Sequence, residues 1–195
     1  MKINVRDMIV KHGRGMPDAW KKQDVGYLLP IPTQQDIDAA IRGFEQYGFG
    51  KQASTASGAF GSYLQLTRNI GAKVLRGVSF SSSDEARESS TWKDAEKEAD
   101  NLIKAKELLG NLVPQFLYLG VTSWQEKYYI VLLVQHIDGK MLSDLDKGED
   151  VQSLRSKVLA AASKYNTDLH EGNIMMVRDG GVEHLYVVDW GIAKF

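Results

Sequence analysis

The chain has 195 residues, of which 43% are hydrophobic and 25% charged, a composition typical of a soluble globular protein and too apolar for a disordered one. Its net charge of −1 excludes the broad basic surface that nucleic-acid binding needs, and its lack of Cys excludes disulfides and thiolate metal sites. The longest apolar run, residues 128–134, is too short to span a membrane, so we expect a cytoplasmic protein with no nucleic-acid or membrane partner.

An irregular arm and one helix are predicted for residues 1–47. Gly and Pro interrupt residues 1–32 too often for one long element. Thr33 can then cap a helix whose apolar residues recur at helical spacing, and Gly48 follows its end.

Three short strands are predicted over residues 49–77, where β-like segments alternate with Gly and Ser. The Ser-rich segment 79–90 is predicted to be a solvated loop. Thr91 and Asp94 have the spacing of an N-terminal capping pair, which predicts that a long second helix begins there.

The remaining elements are two strands, a helix and a hairpin. Residues 115–121 and 128–134 are predicted strands, joined by the polar turn 122–127. Apolar residues at helical spacing predict a helix over 151–165. The apolar segments "IMMV" and "LYVVDW" flank the turn-forming "RDGG", which predicts a β-hairpin.

Two acidic turns flank this hairpin. The segment "DLHEGN" begins with Asp168 and ends with Asn173, and Asp189 follows the second strand in "VVDWG". Because the hairpin brings its two ends together, we expect Asn173 and Asp189 to lie at the same edge, where oxygen ligands suit Mg²⁺. With Asp168 as a base for an attacking hydroxyl, the two turns predict a site for phosphoryl transfer.

At these residues the sequence resembles the protein-kinase-like superfamily, in which the catalytic loop reads D-x-x-x-x-N and the metal loop reads D-F-G. The form D-L-H-x-G-N is similar to that of aminoglycoside-phosphotransferase-type, RIO-type and short phage kinases. The resemblance implies an α+β, bilobal protein-kinase-like fold, with a five-stranded antiparallel N-lobe sheet, one αC-type helix and a truncated C-lobe. It implies an N-terminal arm and helix at 1–47, an N-lobe at 48–137 and a minimal C-lobe at 138–195.

The resemblance extends to the upstream half of the chain. The segment "ASGAFGSYLQL" is similar to a glycine-rich loop, Lys73 lies on the third predicted strand, and Val134 takes the gatekeeper position before the segment that would face adenine. The nucleotide-binding residues so implied are Ala56, Ser57, Gly58, Ala59, Phe60, Gly61, Lys73, Gln135, His136 and Ile137.

The same resemblance implies the catalytic roles. Asp168 would orient and deprotonate the acceptor hydroxyl, and Asn173 and Asp189 would hold metal. Lys73 would position the phosphates in a pair with Glu98, and Glu96 is the second choice for that partner.

Each residue also has an ordinary structural interpretation. A strand lysine such as Lys73 more often lays its stem on apolar surface with its ammonium in water. Glu98 lies in a charge-rich helix, where most such side chains are solvated or paired one turn away. His170 is predicted to be structural, since imidazole is not a preferred Mg²⁺ ligand. Only the order and spacing of the motifs favour catalysis.

Three departures from the family pattern bear on mechanism. Ala56 occupies the first glycine position, and Asn166 and Thr167 stand where His and Arg usually precede the aspartate. The sequence also ends four residues after Gly191, so we expect no conventional activation segment. These features resemble minimal kinases of bacteriophages and secreted bacterial effectors.

We therefore expect a minimal ATP-dependent Ser/Thr protein kinase that uses ATP with Mg²⁺, or with Mn²⁺ in its place. It would phosphorylate a host or partner protein in the host cytoplasm, either constitutively or with an activating protein partner. Two alternatives stay open at this stage: a pseudokinase-like module that binds a host protein, and a small-molecule phosphotransferase whose acceptor pocket is formed by residues 1–47.

Overall fold

A computed structural model describes residues 32–48, 55–58, 61–75, 79–145, 150–179 and 181–195, with 55–58, 61 and 179 described by backbone alone. The described chain is α+β with antiparallel sheets, as the sequence predicts. Its helices are α1 (Gln34–Tyr47), α2 (Ser83–Glu88), α3 (Ser90–Leu109) and α4 (Val151–Ala162). No helix in this part of the chain is long and apolar enough to cross a membrane. The arm predicted over residues 1–32 lies, apart from residue 32, outside the described residues.

Two antiparallel sheets contain all the described strands. The larger sheet has the order β1-β2-β3-β5-β4, and the smaller has the order β6-β7-β8. The strands are β1 (Thr55–Gly58), β2 (Gly61–Gln65), β3 (Ile70–Leu75), β4 (Phe116–Trp124), β5 (Lys127–Gln135), β6 (Lys140–Met141), β7 (Ile174–Asp179) and β8 (Val182–Val187). The short strand β6 was not predicted, and it pairs with β7 across Met141 and Met175.

Helix α1 covers one face of the larger sheet. Its start is confirmed at Thr33, which forms a reciprocal capping box with Asp36, and its end at Gly48, whose φ of 53° favours glycine. The buried face of the helix packs with alternate residues of β3, because side chains on a strand alternate between the two faces. The residues that share this cluster include Ile37, Ala40, Phe44, Ile70, Ala72 and Val74.

Helix α3 covers the opposite face and joins the two sheets. One continuous core cluster contains residues of α3 and β5, residues of the smaller sheet, and residues of α4. The fully buried Trp190 lies in this cluster, and its Nε1–H donates to the Val187 carbonyl at 2.9 Å. Because both sheets contribute to one core, shared apolar packing holds them together.

The Ser-rich segment was wrongly predicted to be a loop. Residues 83–88 form α2, which is capped by Ser82 and anchored by the buried Ala86. The predicted cap of the long helix at Thr91 is also wrong, since Ser89 accepts from the Trp92 N–H at 3.1 Å and donates to the Ala86 carbonyl. The Ser89 hydroxyl thus donates to the last turn of α2 and caps the first turn of α3, so no loop separates the two helices.

The turn between β4 and β5 is shorter than the predicted 122–127. Gln125 and Glu126 alone form it, with φ angles of 50° and 61°. Positive φ at both central residues matches the twist of the flanking strands, so pairing continues to the turn. The predicted hairpin β7–β8 is confirmed, with Asp179 paired to Val182.

Lys106 is a partly buried lysine on α3 whose Nζ donates to the Val113 carbonyl at 2.7 Å. Burial lowers the pKa of its ammonium to about 8, well below the unfolded value of about 10.4. Between these two values the unfolded chain binds the additional proton, so this lysine makes stability rise with pH.

We predict that the free energy of unfolding rises by up to about 1 kcal/mol between pH 7.5 and pH 9 because of this lysine. Urea denaturation at the two pH values should show this rise in the wild type and a smaller one in Lys106→Met. The exposed Lys104, on the same helix, supplies the control Lys104→Met. Equal pH dependence of the unfolding free energy in Lys106→Met and Lys104→Met would contradict the assignment of the rise to Lys106.

Candidate active site

A buried ion pair lies between the larger sheet and α3. The Nζ of Lys73 donates to both carboxylate oxygens of Glu98, at 2.7 and 2.8 Å. The same Nζ lies 3.5 Å from Asp189 Oδ1. The structure thus brings three of the predicted site residues together, from β3, α3 and the segment after β8.

The sequence positions this pair through two periodicities. Lys73 alternates with Ala72 and Val74, which face α1, so its side chain faces α3. On α3, Glu98 shares the buried face with Ala95 and Leu102, one turn away on either side. Glu96, the second choice of partner, lies on the exposed face of the helix.

Glu98 depends on Lys73 for its charge. Burial raises the pKa of the Glu98 carboxyl, the ammonium of Lys73 lowers it, and the nearby carboxylate of Asp189 raises it. The side chain of Glu98 is only 7% exposed, and a buried carboxylate is costly unless it is paired. The pair therefore fixes the position of β3 relative to α3.

The predicted catalytic loop forms an open turn before β7. The Asn173 side-chain N–H group donates to the main-chain carbonyl of Asp168 at 3.0 Å and to its Oδ2 at 3.2 Å. The Asp168 side chain is 43% exposed, so its carboxylate is accessible from solvent. His170 is exposed, and its Nδ1 accepts from the Gly172 N–H at 3.1 Å, which agrees with the structural role predicted for it.

Asn173 and Asp189 lie at one edge of the smaller sheet. The Val188 N–H donates to the Asn173 carbonyl at 3.0 Å, which continues the β7–β8 ladder to the residue before Asp189. Oδ1 of Asp189 accepts from the Gly191 N–H at 3.1 Å. Within the described residues, Asn173 Oδ1 and Asp189 Oδ2 make no hydrogen bond, so two oxygens remain as donors for a cation.

The residues present fit a Mg²⁺ ion that is shared with phosphate. No group of three or more His, Asp or Glu side chains that could hold a metal occurs in the described ranges. Mg²⁺ typically takes one or two protein ligands and completes its octahedron with water and substrate phosphates. Asn173 and Asp189 supply two such ligands.

Asn166 has a role that the sequence did not reveal. This side chain is only 1% exposed, and its Nδ2 donates to the Asp189 carbonyl at 2.7 Å. Its Oδ1 accepts from the Asp168 N–H at 2.9 Å. One amide therefore ties the turn that carries Asp168 to the segment that carries Asp189.

Asn101 is a second unpredicted contact to the same segment. Its Nδ2 donates from α3 to the Trp190 carbonyl at 2.9 Å and to the Ala193 carbonyl at 3.2 Å. It lies on the same buried face of α3 as Glu98. The helix therefore holds Lys73 with one side chain and the segment after Asp189 with another.

The predicted nucleotide-binding residues are described in part. Ala56, Ser57, Gly58 and Gly61 lie at the turn of the β1–β2 hairpin, where Gly58 pairs with Gly61. Ala59 and Phe60 lie outside the described residues.

In the segment that was predicted to face adenine, two of the three backbone N–H groups already donate to protein carbonyls. The Gln135 N–H donates to the Gln115 carbonyl, and the His136 N–H to the Asn69 carbonyl. Among the described residues, the N–H of Ile137 has no such acceptor, and this residue is buried.

No protein-family model matches this chain, and no curated protein sequence matches it.

We predict that Lys73→Met lowers the free energy of unfolding by about 3 to 5 kcal/mol, because it leaves the Glu98 carboxylate buried and unpaired. The double variant Lys73→Met/Glu98→Leu should recover most of this loss, since no charge remains to be desolvated. Chemical denaturation of the wild type, Lys73→Met, Glu98→Leu and the double variant measures both effects. If the loss of unfolding free energy in the double variant equalled the sum of the losses in the two single variants, Lys73 and Glu98 would not be coupled.

We predict that Asn166→Ala loosens the segment after Asp189, because the Asp189 carbonyl and the Asp168 N–H both lose a partner, at a cost of about 1 to 3 kcal/mol each if they stay buried. Amide hydrogen exchange over residues 187–195 should become faster. Exposed Thr167 provides the control Thr167→Ala. Unchanged exchange in Asn166→Ala would mean that other contacts hold the segment.

Proposed function

We propose that the protein is an ATP-dependent phosphotransferase with a protein-kinase-like fold, which transfers the γ-phosphoryl group to a hydroxyl of a host or partner protein. The observation that carries the proposal is the convergence of Lys73, Glu98 and Asp189, three residues far apart in sequence. A lysine that is held by one carboxylate beside a second, more exposed one is suited to the phosphates of a metal-bound nucleotide.

The charges at the site support a triphosphate ligand. Lys73 is 17% exposed and keeps its ammonium between Glu98 and Asp189, whose side chain is 32% exposed. The Glu98 carboxylate is almost fully covered by protein, so it orients the lysine and is not available to the ligand. The accessible charges of this three-residue cluster are then the ammonium of Lys73 and the Asp189 carboxylate.

Asp168 is the proton acceptor in this proposal. As the acceptor oxygen attacks the γ-phosphorus, an O–P bond forms, the bond from phosphorus to the β,γ-bridging oxygen breaks, and the hydroxyl proton passes to the Asp168 carboxylate. The leaving group is ADP. The Asn173 side-chain N–H group donates to the main-chain carbonyl of Asp168 and to one oxygen of its carboxylate, which supports the position of the base.

Asn173 and Asp189 would hold Mg²⁺, which neutralises charge on the phosphate oxygens when bound. The chain's own part is to hold these two side chains in register, through the Val188–Asn173 hydrogen bond and the Asn166 amide. Mn²⁺ prefers the same kind of oxygen ligands and could take its place.

The acceptor is proposed to be a protein because Asp168 is open to solvent. Its side chain is 43% exposed, and His170 beside it is 57% exposed. A serine or threonine on another protein could reach a carboxylate in this position without a closed pocket. Because the Asp168 carboxylate is exposed in the free protein, bulk water is excluded from it only when the acceptor protein is bound.

We predict that the wild type transfers labelled phosphate from ATP to protein in a lysate with Mg²⁺, and that Asp168→Asn loses at least about 100-fold of this rate because no base remains. The isosteric Asn replacement keeps the shape of the loop. Glu171→Gln, on the same turn, is the matched control.

ATP binding is measured separately by thermal unfolding. Saturating ATP with Mg²⁺ should stabilise both the wild type and Asp168→Asn, since a ligand that binds only the folded state raises its stability. Metal-dependent stabilisation without transfer would support a binding module. No stabilisation and no transfer would exclude the proposed function.

A further inference from the structure

The segment after Asp189 forms a tight turn from Trp190 to Ala193. The Ala193 N–H donates to the Trp190 carbonyl at 3.2 Å, which closes the turn. Trp190 is fully buried and Ala193 is 2% exposed, and both lie in the core cluster that α3 shares with the smaller sheet. The turn is therefore anchored in the core at both ends.

Asn101 binds both ends of this turn from α3. Its Nδ2 donates to the Trp190 carbonyl at 2.9 Å and to the Ala193 carbonyl at 3.2 Å. The Asn101 side chain is itself buried, and a buried carbonyl that loses a hydrogen-bond partner is costly. An apolar residue at position 101 would remove a hydrogen bond from both carbonyls at once.

The turn also contains the backbone group that binds Asp189. The Gly191 N–H donates to Asp189 Oδ1 at 3.1 Å. Gly191 lies next to α3 as well, since a β-carbon at this position would be 3.5 Å from Asp189 Oδ1 and 3.6 Å from Glu98 Oε2. A shift of the turn relative to α3 would therefore move the Gly191 N–H and, with it, the Asp189 carboxylate.

Lys73 attracts the same carboxylate oxygen. Its Nζ lies 3.5 Å from Asp189 Oδ1 but 2.7 Å from Glu98 Oε1. A charge-assisted hydrogen bond between an ammonium and a carboxylate is roughly 2.7–2.9 Å long, so the contact of Lys73 with Asp189 is not a closed ion pair. Attraction between the opposite charges favours closing it. A closed pair would leave Asp189 with less negative charge for a cation.

We propose that Asn101 is a positioning residue for Asp189. By fastening the turn from Trp190 to Ala193 to α3, it keeps the Asp189 carboxylate on the Gly191 N–H and out of a closed ion pair with Lys73. This inference rests on the proposed function, which assigns Asp189 to the binding of Mg²⁺. Asn101 contacts backbone carbonyls alone in this assignment, so it acts on the metal site only through the turn.

The test is a double-mutant cycle on the affinity for ATP with Mg²⁺, measured by calorimetry with the full chain. In Asn101→Leu, the dissociation constant should rise about tenfold, a change on the scale of one hydrogen bond. In the Asp189→Asn background, Asn101→Leu should raise the constant no further, because no carboxylate remains to pair with Lys73. Two residues that act independently would instead have additive effects on the binding free energy.

Hydrogen exchange of the Gly191 amide in the nucleotide-free protein is a second measurement. It should be faster in Asn101→Leu than in the wild type, because the turn has lost its contacts to α3. Ile37→Ala, in the separate cluster under α1, is the control for a general loss of stability, and it should change neither the exchange of Gly191 nor the affinity for ATP.

A milder variant covers the case in which Asn101→Leu does not fold. Asn101→Ser has a hydroxyl that is too short to bind both carbonyls, so it should also raise the dissociation constant for ATP with Mg²⁺. Thermal unfolding establishes that each variant is folded.

The outcomes separate the two proposals. Unchanged ATP affinity in the Asn101 variants, or unchanged exchange of the Gly191 amide, would overturn the positioning role while leaving the proposed function intact. A full additional rise in the Asp189→Asn background would also overturn it, because Asn101 would then act independently of Asp189. A wild type that does not bind ATP with Mg²⁺ would overturn the proposed function and this inference together.

Discussion

The ion pair of Lys73 and Glu98 is the interaction on which the rest of the molecule depends. Neither charge can be buried without the other, so the pair sets the distance between β3 and α3. The same helix then carries Asn101 to the carbonyls of Trp190 and Ala193. A single rigid element therefore aligns an ammonium on one sheet with a carboxylate that follows the other. The proximity of Lys73 to Asp189 is the geometric result of that alignment, and the core cluster common to both sheets supports it.

Much of the fold could be predicted because strong local signals agree with the tertiary structure. The Thr33 cap and the RDGG turn are examples, since each satisfies its backbone within a few residues. The helix in the Ser-rich segment could not be predicted from such local signals. A serine favours caps, turns and loops alike, and only the packing of Ala86 against α3 and the larger sheet decides that residues 83–88 form a helix. The boundary at Ser89 has the same cause, because its hydroxyl serves two helices at once.

The site was predictable where chemistry requires a charged side chain at a fixed spacing, and not where the contact is to backbone. Lys73 and Glu98 meet as the resemblance to the kinase-like superfamily implies. Asn166 and Asn101 act on main-chain carbonyls, which every residue has, so no pattern in the sequence identifies their partners.

The Asn166 amide has a consequence for protein engineering. Because it donates to one loop and accepts from the other, the segment 168–173 is not a portable module by itself. A graft of "DLHEGN" onto another scaffold would carry the Asp168 carboxylate and the Asn173 amide. It would leave out Asn166, whose side chain connects this turn to the loop that contains Asp189. The smallest transferable unit begins two residues before Asp168, and it must be moved together with its acceptor at position 189.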